Sequence, residues 1–104
     1  MDRFDQLLAT IVERRSGDPA TSYVAKLTGK GRAKMAQKLG EEAVEVVIAA
    51  ISDDRAGLVS ESADLMFHLA VLLADAGLSF DDVRAELERR EGVSGLEEKA
   101  KRAT

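Results

Sequence analysis

The chain has no cysteine, one histidine and one proline among its 104 residues. Without cysteine there is no disulfide, no thiolate zinc site and no cysteine nucleophile, and a lone histidine leaves little for soft-metal chemistry. Positive charge is in deficit: 15 Lys and Arg against 19 Asp and Glu give a net charge of −4, which argues against nucleic acid or an anionic membrane as the main partner. The apolar runs read as too short to cross a bilayer, and the charged start MDRFDQLLATIVERR is no secretory signal, so a cytoplasmic protein is expected. Nothing alternates with period two, which removes strands from the expected fold. A chain of this length is expected to form one domain over residues 1–104, with a core small enough that pairing with a second copy would help to bury its apolar surface.

What is present is helical spacing. Phe4, Leu7, Leu8, Ile11 and Val12 define an amphipathic first helix that ends near Ser16 and Gly17. The stretch SGDPATSYVAKLTGKGR holds the proline and three glycines and predicts a loop with one short helical segment around Tyr23 to Leu27. Two long helices are expected, from about Ala33 to Ile51 and from Arg55 to Ala76, joined by a tight turn at Asp53 and Asp54, with Gly77 stopping the second. Ser79 with Asp82 and Ser94 with Glu97 have capping-box spacing and open two further helices, to which Val83, Leu87 and Leu96 supply apolar contacts. Glu97 and Glu98 precede Lys101 and Arg102 by four residues, an ordinary exposed helix pattern. Met35 and Met66 read as core fillers. The second long helix is apolar nearly all round, with only Glu61, Asp64 and His68 forming a polar stripe, so it must be buried on several sides. The expected fold is therefore all-α: a helical hairpin of two long helices with flanking shorter helices, dimerising into a four-helix-bundle core.

Within that hairpin the acidic residues fall in a pattern. Glu42 and Glu45 form one E-x-x-[ED] pair, Glu61 and Asp64 another, and i,i+3 spacing puts both members of each pair on one helix face. If the chain folds back about position 53, Glu45 faces Glu61, Glu42 faces Asp64 and Lys38 faces His68, with the carboxylates about 12 Å from the turn at ~1.5 Å per residue. Like charges gathered at one level repel unless a cation neutralises them. Only oxygen ligands are on offer, which favours Mg²⁺ first and Mn²⁺ second over Zn²⁺. Just before this motif, Lys26, Lys30, Arg32, Lys34 and Lys38 form a basic cluster suited to a small anionic substrate.

The two acidic pairs, separated by a helix-turn-helix interval, resemble the metal signature of the all-α nucleoside triphosphate pyrophosphohydrolases, the MazG-like superfamily. More specifically, SYVAKLTGKGRAKMAQKLGEEAVEVVIAA (22–50) and ESADLMFHLAVLLADAGLS (61–79) resemble the phosphoribosyl-ATP pyrophosphohydrolase family, and the likeness extends over about Ser22 to Glu91. That family is often fused to a phosphoribosyl-AMP cyclohydrolase domain whose metal site uses cysteines. The absence of cysteine here predicts the stand-alone form.

The resemblance implies hydrolysis of the α,β-phosphoanhydride of phosphoribosyl-ATP, giving phosphoribosyl-AMP and pyrophosphate in the second step of histidine biosynthesis. Under it, Glu42, Glu45, Glu61 and Asp64 are metal ligands holding Mg²⁺, which polarises the phosphoryl group and activates water. Glu41 and Glu45 are the expected catalytic carboxylates, Glu41 orienting or deprotonating the attacking water if it is not simply a solvated helix charge. Lys38 neutralises a phosphate oxygen or pairs with Glu42. Lys34, Lys26 and Lys30 approach the phosphates or ribose, with surface solvation the competing role, and Ser22 and Tyr23 contact substrate unless Tyr23 packs on the core. His68, i,i+4 from Asp64, is expected to orient that carboxylate. Two other functions fit the same carboxylates: a house-cleaning pyrophosphohydrolase acting on dNTPs, and a non-catalytic helical dimer in which the acidic stripe binds Mg²⁺ for stability alone.

Overall fold

The computed structural model describes residues 2–92 and 95–103. Among them are six helices and no strand: α1 (Arg3–Arg14), α2 (Tyr23–Gly29), α3 (Arg32–Ile51), α4 (Arg55–Ala76), α5 (Phe80–Arg89) and α6 (Gly95–Ala103). The expected hairpin is the centre of the fold. Helices α3 and α4 run against each other along most of their length, α1 lies across α4, and α2 fills the space beside both.

Local chemistry sets the helix ends. Asp2 and Asp5 form a capping box at α1, and Ser79 and Asp82 form the expected one at α5. The box predicted for Ser94 lies outside the described residues. At the hairpin, Asp53 adopts a left-handed φ of 54°, a conformation Asp tolerates better than most residues, and the Asp54 side chain then caps α4 by accepting from the Gly57 N–H at 2.9 Å. Gly77, at φ 72°, ends α4 in the left-handed geometry that glycine adopts without steric cost. Gly31, at φ 95° and ψ 167°, takes a positive-φ extended geometry open to glycine and precedes the start of α3 just after Lys30.

The core is built from Leu8 and Ile11 of α1, Val24 and Leu27 of α2, Met35 of α3, Ala70, Val71 and Ala74 of α4, and Phe80 of α5, with Met66 packed against it. By length and composition alone α4 reaches what a bilayer-crossing helix needs, which corrects the expectation that no segment does so. Its Glu61 and Asp64 are too few to offset the leucines around them. In the fold it is a central helix packed against α3, α1 and α2.

Much of the large apolar surface left uncovered sits on α3 rather than α4. Val44, Val47, Ile48 and Ile51 follow i, i+3, i+4, i+7 and are all more than half exposed, Ile51 at 81%, and Val59 of α4 extends the stripe at 73%.

One ionic junction locks three helices together. The Asp75 carboxylate near the end of α4 accepts from Arg15 at 2.9 Å and from Arg32 at 2.7 Å, tying the end of α1 and the start of α3 to the same point. Arg32, then Arg15, hold its carboxyl below the ordinary aspartate value despite partial burial. Replacing Asp75 with alanine is expected to cost about 2 kcal/mol of stability at pH 7, because two arginines lose their shared acceptor. A depressed pKa contributes stability above the unfolded value near ~3.9 and loses it as pH falls through the native one. Thermal unfolding of the two proteins should therefore differ at neutral pH and converge only in strongly acidic solution. Equal melting at pH 7 would show that the junction is energetically idle.

Candidate active site

The seam between α3 and α4 is where the carboxylates meet. Along α3 the inward residues Met35, Leu39, Glu42, Val46 and Ala49 alternate by four and three positions, and along α4 Glu61, Leu65, His68, Leu72 and Asp75 do the same. All of these are buried or half-buried. Glu42 and Glu61 thus occupy positions that a packed hairpin normally gives to leucine or alanine. Oxygens of Glu42, Glu61 and Asp64 all lie within 4.8 Å of one another.

The electrostatics of this trio are unfavourable as they stand. Burial first, then the charges of Asp64, Glu42 and Glu45, push the Glu61 carboxyl above its ordinary value. No ion pair among the described residues reaches Glu42, Glu61 or Asp64; Lys38 pairs with Glu41 and feels the Glu42 charge only at longer range. Two half-buried carboxylates and one exposed carboxylate, none of them in an ion pair among the described residues, are a donor set of the hard, oxygen-only kind that a divalent cation fits. Glu45, expected as a fourth ligand, stands outside the trio one turn along α3, on the exposed side, near enough to add to the repulsion at Glu61.

Beside the carboxylates lies a cavity of about 260 Å³ lined by Tyr23, Lys26, Leu27, Lys30, Lys34, Lys38 and Glu41. Every lysine singled out from the sequence is there. They converge because α2 and the first two turns of α3 meet at Gly31, so that bases from a short helix, a loop and a long helix face one space. Lys38 donates to Glu41 at 3.1 Å, and this bond, with the neighbouring carboxylate charge, holds its ammonium above the ordinary range. The other Glu41 oxygen accepts from Gln37 at 2.9 Å. Gln37 first and Lys38 second draw the Glu41 carboxyl below its usual value, which works against proton abstraction by that residue.

Two expected contacts take a different form. His68 is buried, but its Nδ1 lies 2.9 Å from the backbone carbonyl of Asp64 rather than its carboxylate, because an i,i+4 imidazole on a helix reaches the preceding turn's carbonyl more readily. Ser22 caps α2, its hydroxyl oxygen accepting from the Ala25 N–H at 3.2 Å, while also lining a neighbouring cavity with Tyr23 and Phe67. The sequence reading did not single out Gln37, Phe67 or Asp75. Gln37 had a signal, since i,i+4 Gln–Glu pairs bond on helices. Asp75, a single acid ending a long apolar run, had one too.

The fold and this seam place the chain among the all-α nucleoside triphosphate pyrophosphohydrolases. Similarity to known proteins narrows the class. The family model described as phosphoribosyl-ATP pyrophosphohydrolase matches residues 4–91, and the chain belongs to that family. It is 66% identical over 98 residues to the phosphoribosyl-ATP pyrophosphatase of Rhizorhabdus wittichii, covering 94% of this chain and 92% of the relative. It is 59% identical over 102 residues to that of Erythrobacter litoralis, covering 98% of each, and 52% identical over 102 residues to that of Rhodobacter capsulatus, covering 98% and 99%. The family match includes α1, whose sequence alone carried no family-specific signal.

Proposed function

We propose that this chain hydrolyses phosphoribosyl-ATP to phosphoribosyl-AMP and pyrophosphate, the second step of histidine biosynthesis, with Mg²⁺ held by Glu42, Glu61 and Asp64. The observation that carries this reading is the juxtaposition of uncompensated carboxylates with a lysine-lined cavity in a chain of this family. A polyphosphate needs both: lysines to offset its charge at one end and a cation where the carboxylates would otherwise repel it. When bound, Mg²⁺ supplies Lewis acidity towards the phosphoryl oxygens and makes the attacking water more acidic, and Mn²⁺ fits the same oxygen donors.

The protein's own groups divide the remaining work. Lys26, Lys30, Lys34 and Lys38 hold phosphate oxygens, with Glu41 and Gln37 fixing the Lys38 ammonium rather than acting on water. Glu45, outside the trio and exposed, is the carboxylate placed to accept the proton of the attacking water. The leaving pyrophosphate stays paired with the lysines until it diffuses away. Tyr23 borders the same cavity and meets the nucleoside part of the substrate.

Substituting Lys38 with methionine removes one charge-assisted contact, worth roughly tenfold in affinity. Steady-state kinetics should show KM raised by about that factor with a smaller change in kcat. An unchanged KM would place the phosphates elsewhere.

The apolar stripe Val44, Val47, Ile48, Ile51 and Val59 supports a homodimer, since a single copy leaves it in water and a second copy offers the same self-complementary face. Two hairpins packed in this way make a four-helix bundle, in a soluble cytoplasmic enzyme. Pyrophosphate release from phosphoribosyl-ATP measured beside release from each dNTP tests the substrate: turnover of phosphoribosyl-ATP with dNTPs inert is expected, and preferential dNTP turnover would transfer the site to house-cleaning chemistry.

A further inference from the structure

Neither His68 nor the polarity of the Tyr23 hydroxyl has a task in the chemistry above, although both are tightly defined. The Nδ1 of His68 faces the Asp64 carbonyl oxygen at 2.9 Å. A carbonyl oxygen only accepts, so Nδ1 carries the hydrogen. In the uncharged ring Nε2 then presents a lone pair, and it lies 3.2 Å from the Tyr23 hydroxyl oxygen. Tyr23 therefore donates its one hydroxyl hydrogen into the protein. Its ring stacks on Phe67 with centroids 6.1 Å apart and meets His68 edge-on at 6.0 Å, which fixes where the oxygen points. Yet Tyr23 is 50% exposed and lines the lysine cavity.

An oxygen whose hydrogen is already committed has only lone pairs to offer a ligand. Phosphate oxygens at neutral pH are acceptors too, so the two repel. A hydroxyl or amino group on the ligand fits, because it donates. The lysines have the reverse polarity, donors without an acceptor. The cavity thus carries two chemistries, cations for phosphate and a fixed acceptor. We propose that Tyr23, set as an acceptor by His68, is a specificity-determining residue that selects a hydrogen-bond donor on the nucleoside part of the substrate, a sugar hydroxyl or a base amino group. This rests on the hydrolase reading given above, with Tyr23 touching substrate and His68 acting through it as a positioning residue.

The chain has one His and one Tyr, so each gives a single-residue signal. Nitrogen-15 NMR of the imidazole in the intact protein at neutral pH is expected to show Nδ1 protonated and Nε2 bare, with the Nε2 signal moving in Tyr23→Phe. A ring protonated on Nε2, or on both nitrogens, overturns the proposal whatever the chain hydrolyses. The second arm compares kcat/KM for phosphoribosyl-ATP with analogues carrying 2′-deoxyribose, 3′-deoxyribose or a 6-oxo group in place of the amino group. Wild type is expected to favour the intact substrate over one of them by roughly tenfold. That analogue identifies the donor as sugar or base. In Tyr23→Phe, which keeps the ring, the ratio should fall to about one, and a ratio does not depend on how much enzyme is folded. Pyrophosphate release without discrimination, or with equal discrimination in wild type and variant, overturns this inference alone. No release from the intact substrate overturns the hydrolase reading, and the inference with it.

Discussion

Glu61→Gln is expected to lower pyrophosphate release by roughly 10³-fold, since a metal site contributes several kcal/mol of transition-state stabilisation and each ~1.36 kcal/mol is tenfold in rate. The same substitution is expected to raise the melting temperature of the metal-free protein. Both follow from one feature. Glu61 occupies a seam position where burial and the charges of Asp64, Glu42 and Glu45 raise its carboxyl pKa. A raised native pKa means that the folded state favours the protonated form, so stability is lost as pH rises through that value. Glutamine imitates the protonated form. The variant should therefore melt higher than wild type at pH 7 in chelator, and the gap should close below the ordinary glutamate value near ~4.3. Saturating Mg²⁺ should stabilise wild type and leave the variant nearly unmoved. A variant that keeps its activity, or one that melts lower without metal, would separate Glu61 from the cation site.

Val47→Glu is expected to convert a dimer into a monomer. Val47 is 54% exposed in the single chain, so the change costs the helix little by itself. In the proposed isologous interface the new carboxylate would enter twice, into the stripe that includes Val44, Ile48 and Ile51. Burying one uncompensated charge costs about 3 kcal/mol or more, which for two copies weakens association by on the order of 10⁴-fold. Light scattering on eluted protein at micromolar concentration would report a dimer for wild type and a monomer for the variant, with helical circular dichroism retained. Wild type running as a monomer would leave the α3 stripe without a second copy to cover it.

The hairpin was legible because its signals agree. A breaker-free run, a pair of aspartates and a second such run place a turn at 52–54, and that turn alone determines that Glu42, Glu61 and Asp64 meet. The lysine cavity was legible for the same reason: Lys34 and Lys38 are one turn apart on α3, and Gly31 directs the preceding bases towards them. What sequence did not disclose depends on side-chain choice between near-equivalent partners. Lys38 can reach Glu41 or Glu42 and takes Glu41, and His68 can reach the Asp64 carboxylate or carbonyl and takes the carbonyl. Glu45 stands outside the trio although its spacing from Glu42 equals that of Asp64 from Glu61, so spacing alone did not separate the two exposed carboxylates. The exposed stripe on α3 was not singled out, because the leucines of α4 dominate the apolar composition of the hairpin. Arg32, read from the sequence as part of the basic cluster, does not line the lysine cavity and instead shares Asp75 with Arg15, pairings 43 and 60 residues apart that no local pattern encodes.

Under the proposed function, the seam carboxylates make phosphoanhydride hydrolysis depend on a divalent cation. The most direct measurement is pyrophosphate release from phosphoribosyl-ATP by wild type and by Asp64→Asn, each titrated with Mg²⁺ from a chelated baseline. Release that is absent in chelator, saturates with Mg²⁺ in wild type and stays near baseline in the variant is the predicted result. Hydrolysis of equal rate with and without the cation, or a variant that follows the wild-type curve, would contradict it.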